Sequence, residues 1–288
     1  MVQRGEMQLD DPVAKYLPKS VKVPAHGGKE ITLLNLAAQD SGLPFNADNL
    51  SGKDWKESYD SYTVEKMYSF LSGYTLTNDP GAKFQYSNIG MSLLGHVLEL
   101  KTGTNFEWLV VSRISEPLRM DSTHITVTPE MKARMAIGHD DNGKRAANYS
   151  LQVMASAGAL LSTANDLVKY ISANLGFMPS SLRPMMEKMQ VIRHRDQPEF
   201  GTTAIPWYDW GVWLSPGTEI LGHGGGTGGF STFIGFDKKH RGGVVVLSNQ
   251  TALHASPIGS AILQRLPLTR ESGTQFVREI VGIGTALA

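Results

Sequence analysis

Residues 222–237 read GHGGGTGGFSTFIGFD, and the fold turns on how they are read. Phe230 to Asp237 places aromatic and β-branched residues among small ones, as a strand does. GGVVVLSN (242–249) continues the pattern, and YDWGVWLS (208–215) and TEILG (218–222) precede it, all separated by glycine or charged turns. An antiparallel meander is predicted, followed by a helix from Pro257 to Leu266. His223-Gly224-Gly225-Gly226 falls between two predicted strands. Three successive residues without side chains let a ligand lie close to backbone N–H groups. A glycine-rich hairpin carrying a surface histidine explains the same letters equally well.

Upstream of the meander the periodicity is helical. Asp10 or Asp11 is expected to cap a short helix with Pro12 in its first turn and Pro18 as its end. Thr32 caps a helix over 32–38 with Leu33, Leu34 and Leu36 turned inward, and Ser41-Gly42-Leu43-Pro44 breaks it. Thr63 starts another that runs to Leu71. Leu93, Leu94, Val97, Leu98 and Leu100 mark a helix from Ile89 to Lys101, stopped by Gly103. Phe106–Ile114 and Ala157–Leu175 complete the set. The expected class is α+β: an α/β sandwich in which an antiparallel sheet is flanked by helices, beside an all-helical lobe. Residues 1–30 and 186–288 are expected to form the sheet lobe, with its N-terminal part incomplete, and 31–185 the helical lobe.

Composition narrows the partners. Lys plus Arg and Asp plus Glu are 27 each in the 288 residues, so no global field favours nucleic acid or an anionic surface. No apolar run approaches the roughly 20 residues of a membrane span, and the N-terminus carries no signal-peptide pattern. The absence of cysteine removes disulfides, thiolate metal sites and a thiol nucleophile, and suits a reducing cytoplasm or a secreted protein equally. The eight histidines show no paired ligand spacing, so no metal and no cofactor are expected.

Residues 83–90, KFQYSNIG, bring a phenol and an amide to the entry of a helix. Tyr86 and Asn88 in that arrangement can share a cleft, although Tyr-x-Asn alone more often marks a half-buried aromatic and a helix cap. His-Gly-Gly-Gly is also an oxyanion motif of α/β-hydrolase-fold lipases and esterases, where it precedes a Gly-x-Ser-x-Gly elbow. No such elbow occurs in this chain, and that alternative fails.

Taken in order, LDDPVAKYLP (9–18), ITLLNLAAQDSGLP (31–44), PGAKFQYSNIGMSLLGHVLE (80–99), EPLRMDST (116–123), SAGALLSTANDLVKY (156–170) and GHGGGTGGFSTFIGFD (222–237) resemble the serine β-lactamase-like hydrolases. The likeness is to class C β-lactamases, D-amino-acid peptidases and family VIII carboxylesterases, and it covers about residues 1–266. It implies a β-lactamase/transpeptidase-like fold. It also implies that Tyr86 takes part in proton transfer with a lysine, and that Asn88 orients substrate. By the same resemblance His223, Gly224 and Gly225 stand for the Lys-Thr-Gly-type strand motif, and the Gly226 N–H for one oxyanion donor. The implied ligands are a small-molecule ester, β-lactam or D-peptide.

The family's first motif, Ser-x-x-Lys, carries the nucleophile and the lysine. No serine of this chain has lysine three residues on. Thr63-Val64-Glu65-Lys66 is the nearest pattern and reads as a helix cap. The resemblance places Ser-x-x-Lys a few helical turns before Met1, so the expectation is a chain that lacks its nucleophile and is inactive alone. A truncated sequence, a partner or exchanged segment that fills the gap, and a degenerate homologue all stay open. Homo-oligomerisation or segment exchange is expected to cover the incomplete N-terminal side. Arg119 stands where Pro-Leu-Gly-Met would have glycine, and Ala37-Ala38-Gln39-Asp40 replaces Leu-Thr-His-Thr. Without a neighbouring cation, holding Tyr86 as phenolate at neutral pH costs roughly 4 kcal/mol, so a neutral phenol is expected. The alternative function is a non-catalytic binding or scaffold homologue of penicillin-binding proteins.

Overall fold

The computed structural model describes residues 1–148, 150–190, 192–197, 201–204 and 220–265, with 192–197 and 201–204 as backbone strands. The chain divides into two compact units, the first made of Met1–Ser112 with Tyr149–Leu160, and the second of Arg113–Asn148 with the chain from Leu161 onward. The expected strand at 208–215, the start of the one at 218–222 and the tail from 267 lie outside the described residues. Helices and short antiparallel sheets together make the α+β class.

The first unit opens with a short hairpin, β1 (Ala25–His26) and β2 (Lys29–Glu30). Its helices are α1 (Leu33–Ala37), α2 (Trp55–Asp60), α3 (Val64–Gly73), α4 (Asn88–Thr102) and α5 (Phe106–Val110). Each begins on a capping side chain. Thr32 and Asn35 form a reciprocal box at α1, Asp54 accepts the Glu57 N–H, Thr63 the Lys66 N–H, Ser87 the Gly90 N–H and Asn105 the Trp108 N–H. Thr63 is therefore a cap, as its pattern suggests. Gly103, left-handed at φ 67°, ends α4. Ile89, Leu93 and Val97 of α4 are fully buried among Leu33, Leu36, Met67, Phe70 and Leu71, the hydrophobic centre of this unit.

The helix expected behind Asp10 or Asp11 is only a 3-10 turn, Val13–Lys15, without a side-chain cap. The Asp11 carboxylate instead accepts hydrogen bonds from the Gln8 N–H, Lys15 Nζ and the Tyr16 hydroxyl. The expected helix Ala157–Leu175 is shorter as well. Gln152–Ala157 is a 3-10 turn packed on α4, where Gly95 leaves room for Ser156, whose hydroxyl donates to the Met91 carbonyl. Regular helix begins at Ala164, where Thr163 accepts the Asp166 N–H. Phe106–Ile114 also stops early, at Val110, and continues as a π-helical turn over Val111–Ser115.

The second unit contains α6 (Pro129–Arg134), α7 (Ala164–Asn174), α8 (Arg183–Met189), the pair β3 (Ile192–Gln197) and β4 (Gly201–Ala204), and the sheet β5 (Ile220–Thr227), β6 (Phe230–Asp237) and β7 (Gly242–Ser248), with α9 (Ala255–Arg265). The order β5-β6-β7 is antiparallel throughout. Side chains alternate across it. Leu221, Ile234, Phe236 and Val245 pack with Ile171 and Leu175 of α7, while Ile220, Phe233 and Val246 pack with Ala255 and Leu263 of α9. Phe233 lies where Gly222, Gly235 and Gly259 have no side chain, and a Cβ at Gly259 would approach its ring to 2.0 Å.

Candidate active site

Tyr86 sits in a segment whose backbone is held from both sides by one residue. The Gln85 N–H donates to the Gln39 carbonyl at 2.6 Å, and the Ser87 N–H donates to Gln39 Oε1 at 2.8 Å. Gln39 itself is buried and left-handed, at φ 57°, which a glutamine adopts only when its surroundings determine it. Ser87 caps α4 by accepting the Gly90 N–H and donates its own hydroxyl to the Pro44 carbonyl. The cap is thus Ser87, and Asn88, expected in that role when read structurally, is the first helical residue. Capping by Ser87 leaves the Asn88 side chain for other work.

Tyr86 is half-buried, and its ring packs against Phe45 at 5.7 Å between centroids. The Asn88 N–H donates to the Phe45 carbonyl at 2.8 Å, and Asn88 Nδ2 donates to Asn46 Oδ1 at 3.2 Å. Asn46 Nδ2 in turn donates to the Tyr59 hydroxyl at 3.4 Å. Burial raises the Tyr59 phenol above its ordinary pKa, against the smaller opposing effect of hydrogen bonds from Asn46 and Asn88. The structure therefore brings Tyr86 and Asn88 together at one helix entry, with two supporting residues that the sequence reading did not name, Phe45 and Asn46. Gln39 was visible as a departure from the family pattern, but its role was not.

His223, Gly224, Gly225 and Gly226 belong to the second unit, within β5 and not between strands. An eight-residue strand runs through the glycines because β6 pairs with every one of them, Gly224 with Phe233, Gly225 with Thr232 and Gly226 with Ser231. The glycines differ in their surroundings. A Cβ at Gly224 would meet Ser256 Oγ of α9 at 2.4 Å, and one at Gly225 would meet Thr232 Oγ1 at 2.4 Å. At Gly226 it would meet none of the described residues within 4 Å, and Gly225 and Gly226 are both exposed. Among the described residues β5 has a partner strand only on its β6 side.

His223 lies opposite Ile234 on the α7 side of the sheet, half-buried. Desolvation lowers its pKa below the ordinary histidine value, outweighing a hydrogen bond to the Gly224 carbonyl that favours the charged ring. Since a carbonyl only accepts, Nδ1 carries the proton. The shift favours the neutral ring over the cation.

Arg119 sits at φ 54°, the left-handed conformation that glycine would take without cost. The neighbouring turn is held by Asp166, which accepts from the Ser122 N–H at 2.8 Å, Thr123 Oγ1 at 3.0 Å and Lys169 Nζ at 2.9 Å. Among the described residues, no group of three or more His, Cys, Asp or Glu side chains could hold a metal ion, and no helix is long and apolar enough to cross a membrane.

A family model described as Beta-lactamase matches residues 1–268. The chain is 27% identical over 263 residues to the D-alanyl-D-alanine-carboxypeptidase/endopeptidase AmpH of Escherichia coli K12, which covers 86% of this chain and 66% of that protein. The chain thus spans just under two thirds of that relative's length. A solved structure of beta-lactamase/D-alanine carboxypeptidase from Yersinia pestis, complexed with citrate, superimposes with a TM-score of 0.75 at 25% identity, covering 93% of this chain and 79% of the other. The octameric penicillin-binding protein homologue from Pyrococcus abyssi does so with a TM-score of 0.73 at 26% identity, covering 93% and 61%.

Proposed function

As the chain belongs to the Beta-lactamase family of serine β-lactamase-like hydrolases, we propose that it presents the ligand-handling half of an acyl-transfer site for an ester, β-lactam or D-peptide carbonyl. In this reading Tyr86 exchanges a proton with the reacting group, Asn88 orients the substrate, and the Gly226 N–H donates to the developing oxyanion. His223 orders the strand as a neutral ring, while Gly224 and Gly225 let Ser256 and Thr232 pack against the backbone of β5.

The observation that carries this reading is the surroundings of Gly226, an exposed backbone unit of β5 where a side chain would meet none of the described residues within 4 Å. Backbone amides in that position cost nothing to reorganise when a carbonyl oxygen gains charge. The chemistry still lacks a nucleophile within these residues, because no Ser-x-x-Lys occurs among them. Covalent catalysis divides acyl transfer into attack by an activated hydroxyl and hydrolysis of the acyl-enzyme, and Tyr86 alone does not replace that hydroxyl. The chain by itself is therefore proposed to bind such ligands without turning them over.

The test combines intact mass spectrometry with nitrocefin and p-nitrophenyl butyrate. No mass adduct and no turnover are expected, together with saturable binding that weakens in Asn88→Ala. A stable adduct would overturn the non-covalent part of the reading, and absence of binding would overturn the whole. That same missing motif favours the second reading, a non-catalytic homologue of penicillin-binding proteins, whose binding would survive restoration of Ser-x-x-Lys while turnover stayed absent. Self-association of the chain is proposed on the octameric relative and is tested by light scattering after size exclusion, where a monomer at all concentrations would remove it.

A further inference from the structure

The first unit carries three exposed aromatic rings, Phe45, Trp55 and Trp108, and the first two pack on tyrosines at the entry of α4 and in α2. Trp55, in the first turn of α2, is 62% exposed, and Phe45 is 48% exposed. Neither is adrift. Trp55 stacks on Tyr59 with ring centroids 5.9 Å apart and planes inclined by 23°, while Phe45 packs on Tyr86. Tyr59 is tied in turn to the amides of Asn46 and Asn88. A continuous strip thus runs from Tyr86 and Phe45, across the Asn46–Asn88 amide pair, to Tyr59 and Trp55.

The short helix beneath Trp55 carries side-chain bonds at both of its ends. Asp54 caps α2 by accepting the Glu57 N–H, Lys56 pairs with Asp60, and Asp60 Oδ1 accepts the Ser150 N–H at 2.7 Å. Holding an indole in one orientation before a ligand arrives removes an ordering cost from binding. Two apolar faces with hydrogen-bonding amides between them suit a small ligand that has a planar ring joined to a polar linkage. They suit a broad apolar protein surface poorly, since the polar Asn46–Asn88 pair interrupts the apolar strip.

We infer that Trp55, supported by Tyr59, is a specificity-determining residue for ligands bearing a planar aromatic substituent, and that it receives that ring when the linking amide lies at Asn88. The inference rests on the proposed role of Asn88 and adds the class of substituent. Offset stacking on an exposed indole is strong enough to discriminate between ligands that share a reacting nucleus.

The experiment measures binding of benzylpenicillin and 6-acetamidopenicillanic acid, which share nucleus and amide and differ by the phenyl ring, to the full chain by calorimetry. Trp55→Ala is expected to weaken benzylpenicillin about 5- to 10-fold and to leave the acetamido ligand unchanged, while Trp55→Phe retains most of the preference. An unchanged ratio in Trp55→Ala, or equal weakening of both ligands, overturns the subsite while leaving the proposed function standing. Failure of the unmodified chain to bind either ligand overturns both.

Discussion

Gln39 and Ser87, 48 residues apart, are joined by a 2.8 Å hydrogen bond from the Ser87 backbone N–H to Gln39 Oε1. Because the Gln39 carbonyl also takes the Gln85 N–H, the backbone on both sides of Tyr86 is fixed by one side chain and one peptide group. Gln39→Ala leaves a buried N–H without its acceptor, so a loss of about 1–3 kcal/mol in unfolding free energy is expected. Urea denaturation measures it. Tyr86→Phe, which keeps the ring against Phe45, is the control, and equal losses in the two variants would remove the positioning role of Gln39.

Arg119 is left-handed, and its side chain explains nothing about why. Arg119→Gly removes the steric cost of that conformation while loosening the unfolded chain, so a net gain of about 0.5–1 kcal/mol is expected. A shift of the urea midpoint to higher concentration at constant slope is the signature.

The glycines of the second unit separate into two kinds. Gly259→Ala drives a methyl group into the Phe233 ring and is expected to cost about 1–3 kcal/mol. Gly226→Ala meets none of the described residues and is expected to change stability by less than about 0.5 kcal/mol. If Gly226→Ala nevertheless weakens ligand binding, backbone approach at that position is supported by a variant that remains folded.

His223 has its folded pKa pushed down by desolvation. The unfolded chain then takes the proton first, so the stability linked to the neutral ring is fully present above about pH 6.5 and is lost as pH falls below it toward the folded pKa. An NMR titration of the ring should give a midpoint below the free histidine value, and His223→Gln should flatten the pH dependence of stability in that window. A midpoint at or above the ordinary value would remove the burial argument for the neutral ring.

Asp11 is held at a pKa of about 2, first by the hydrogen bond from Lys15, then by those from Tyr16 and Gln8. Its folded pKa lies below the ordinary carboxylate value, so its contribution exists above about pH 4 and disappears as pH falls toward 2. Asp11→Asn should therefore be less stable than the unmodified chain at pH 7 and converge with it at pH 2 in thermal melts.

Local chemistry was readable from the sequence wherever a few adjacent residues decide the outcome. Thr32, Thr63 and Gly103 delimit helices because a side-chain oxygen or a left-handed glycine acts within one turn. Phe230–Asp237 is a strand from first residue to last because its pattern and its flanking turns agree. Where distant residues compete, the reading failed. Ser87, not Asn88, caps α4, since the Gln39 and Pro44 segment holds the serine in place. His223–Gly226 extends β5 because β6 supplies cross-strand partners that glycines cannot advertise.

The sequence by itself determined the family, and it marked Tyr86, Asn88 and the glycine run as candidates because a phenol, an amide and bare backbone are what acyl-transfer chemistry uses. Only tertiary structure decided that Gln39 clamps the tyrosine segment, that burial pushes His223 toward its neutral form, and that Gly226 meets none of the described residues while Gly224 and Gly225 are crowded. Those properties depend on which atoms from remote parts of the chain come within a few ångströms, where burial removes water and packing removes space.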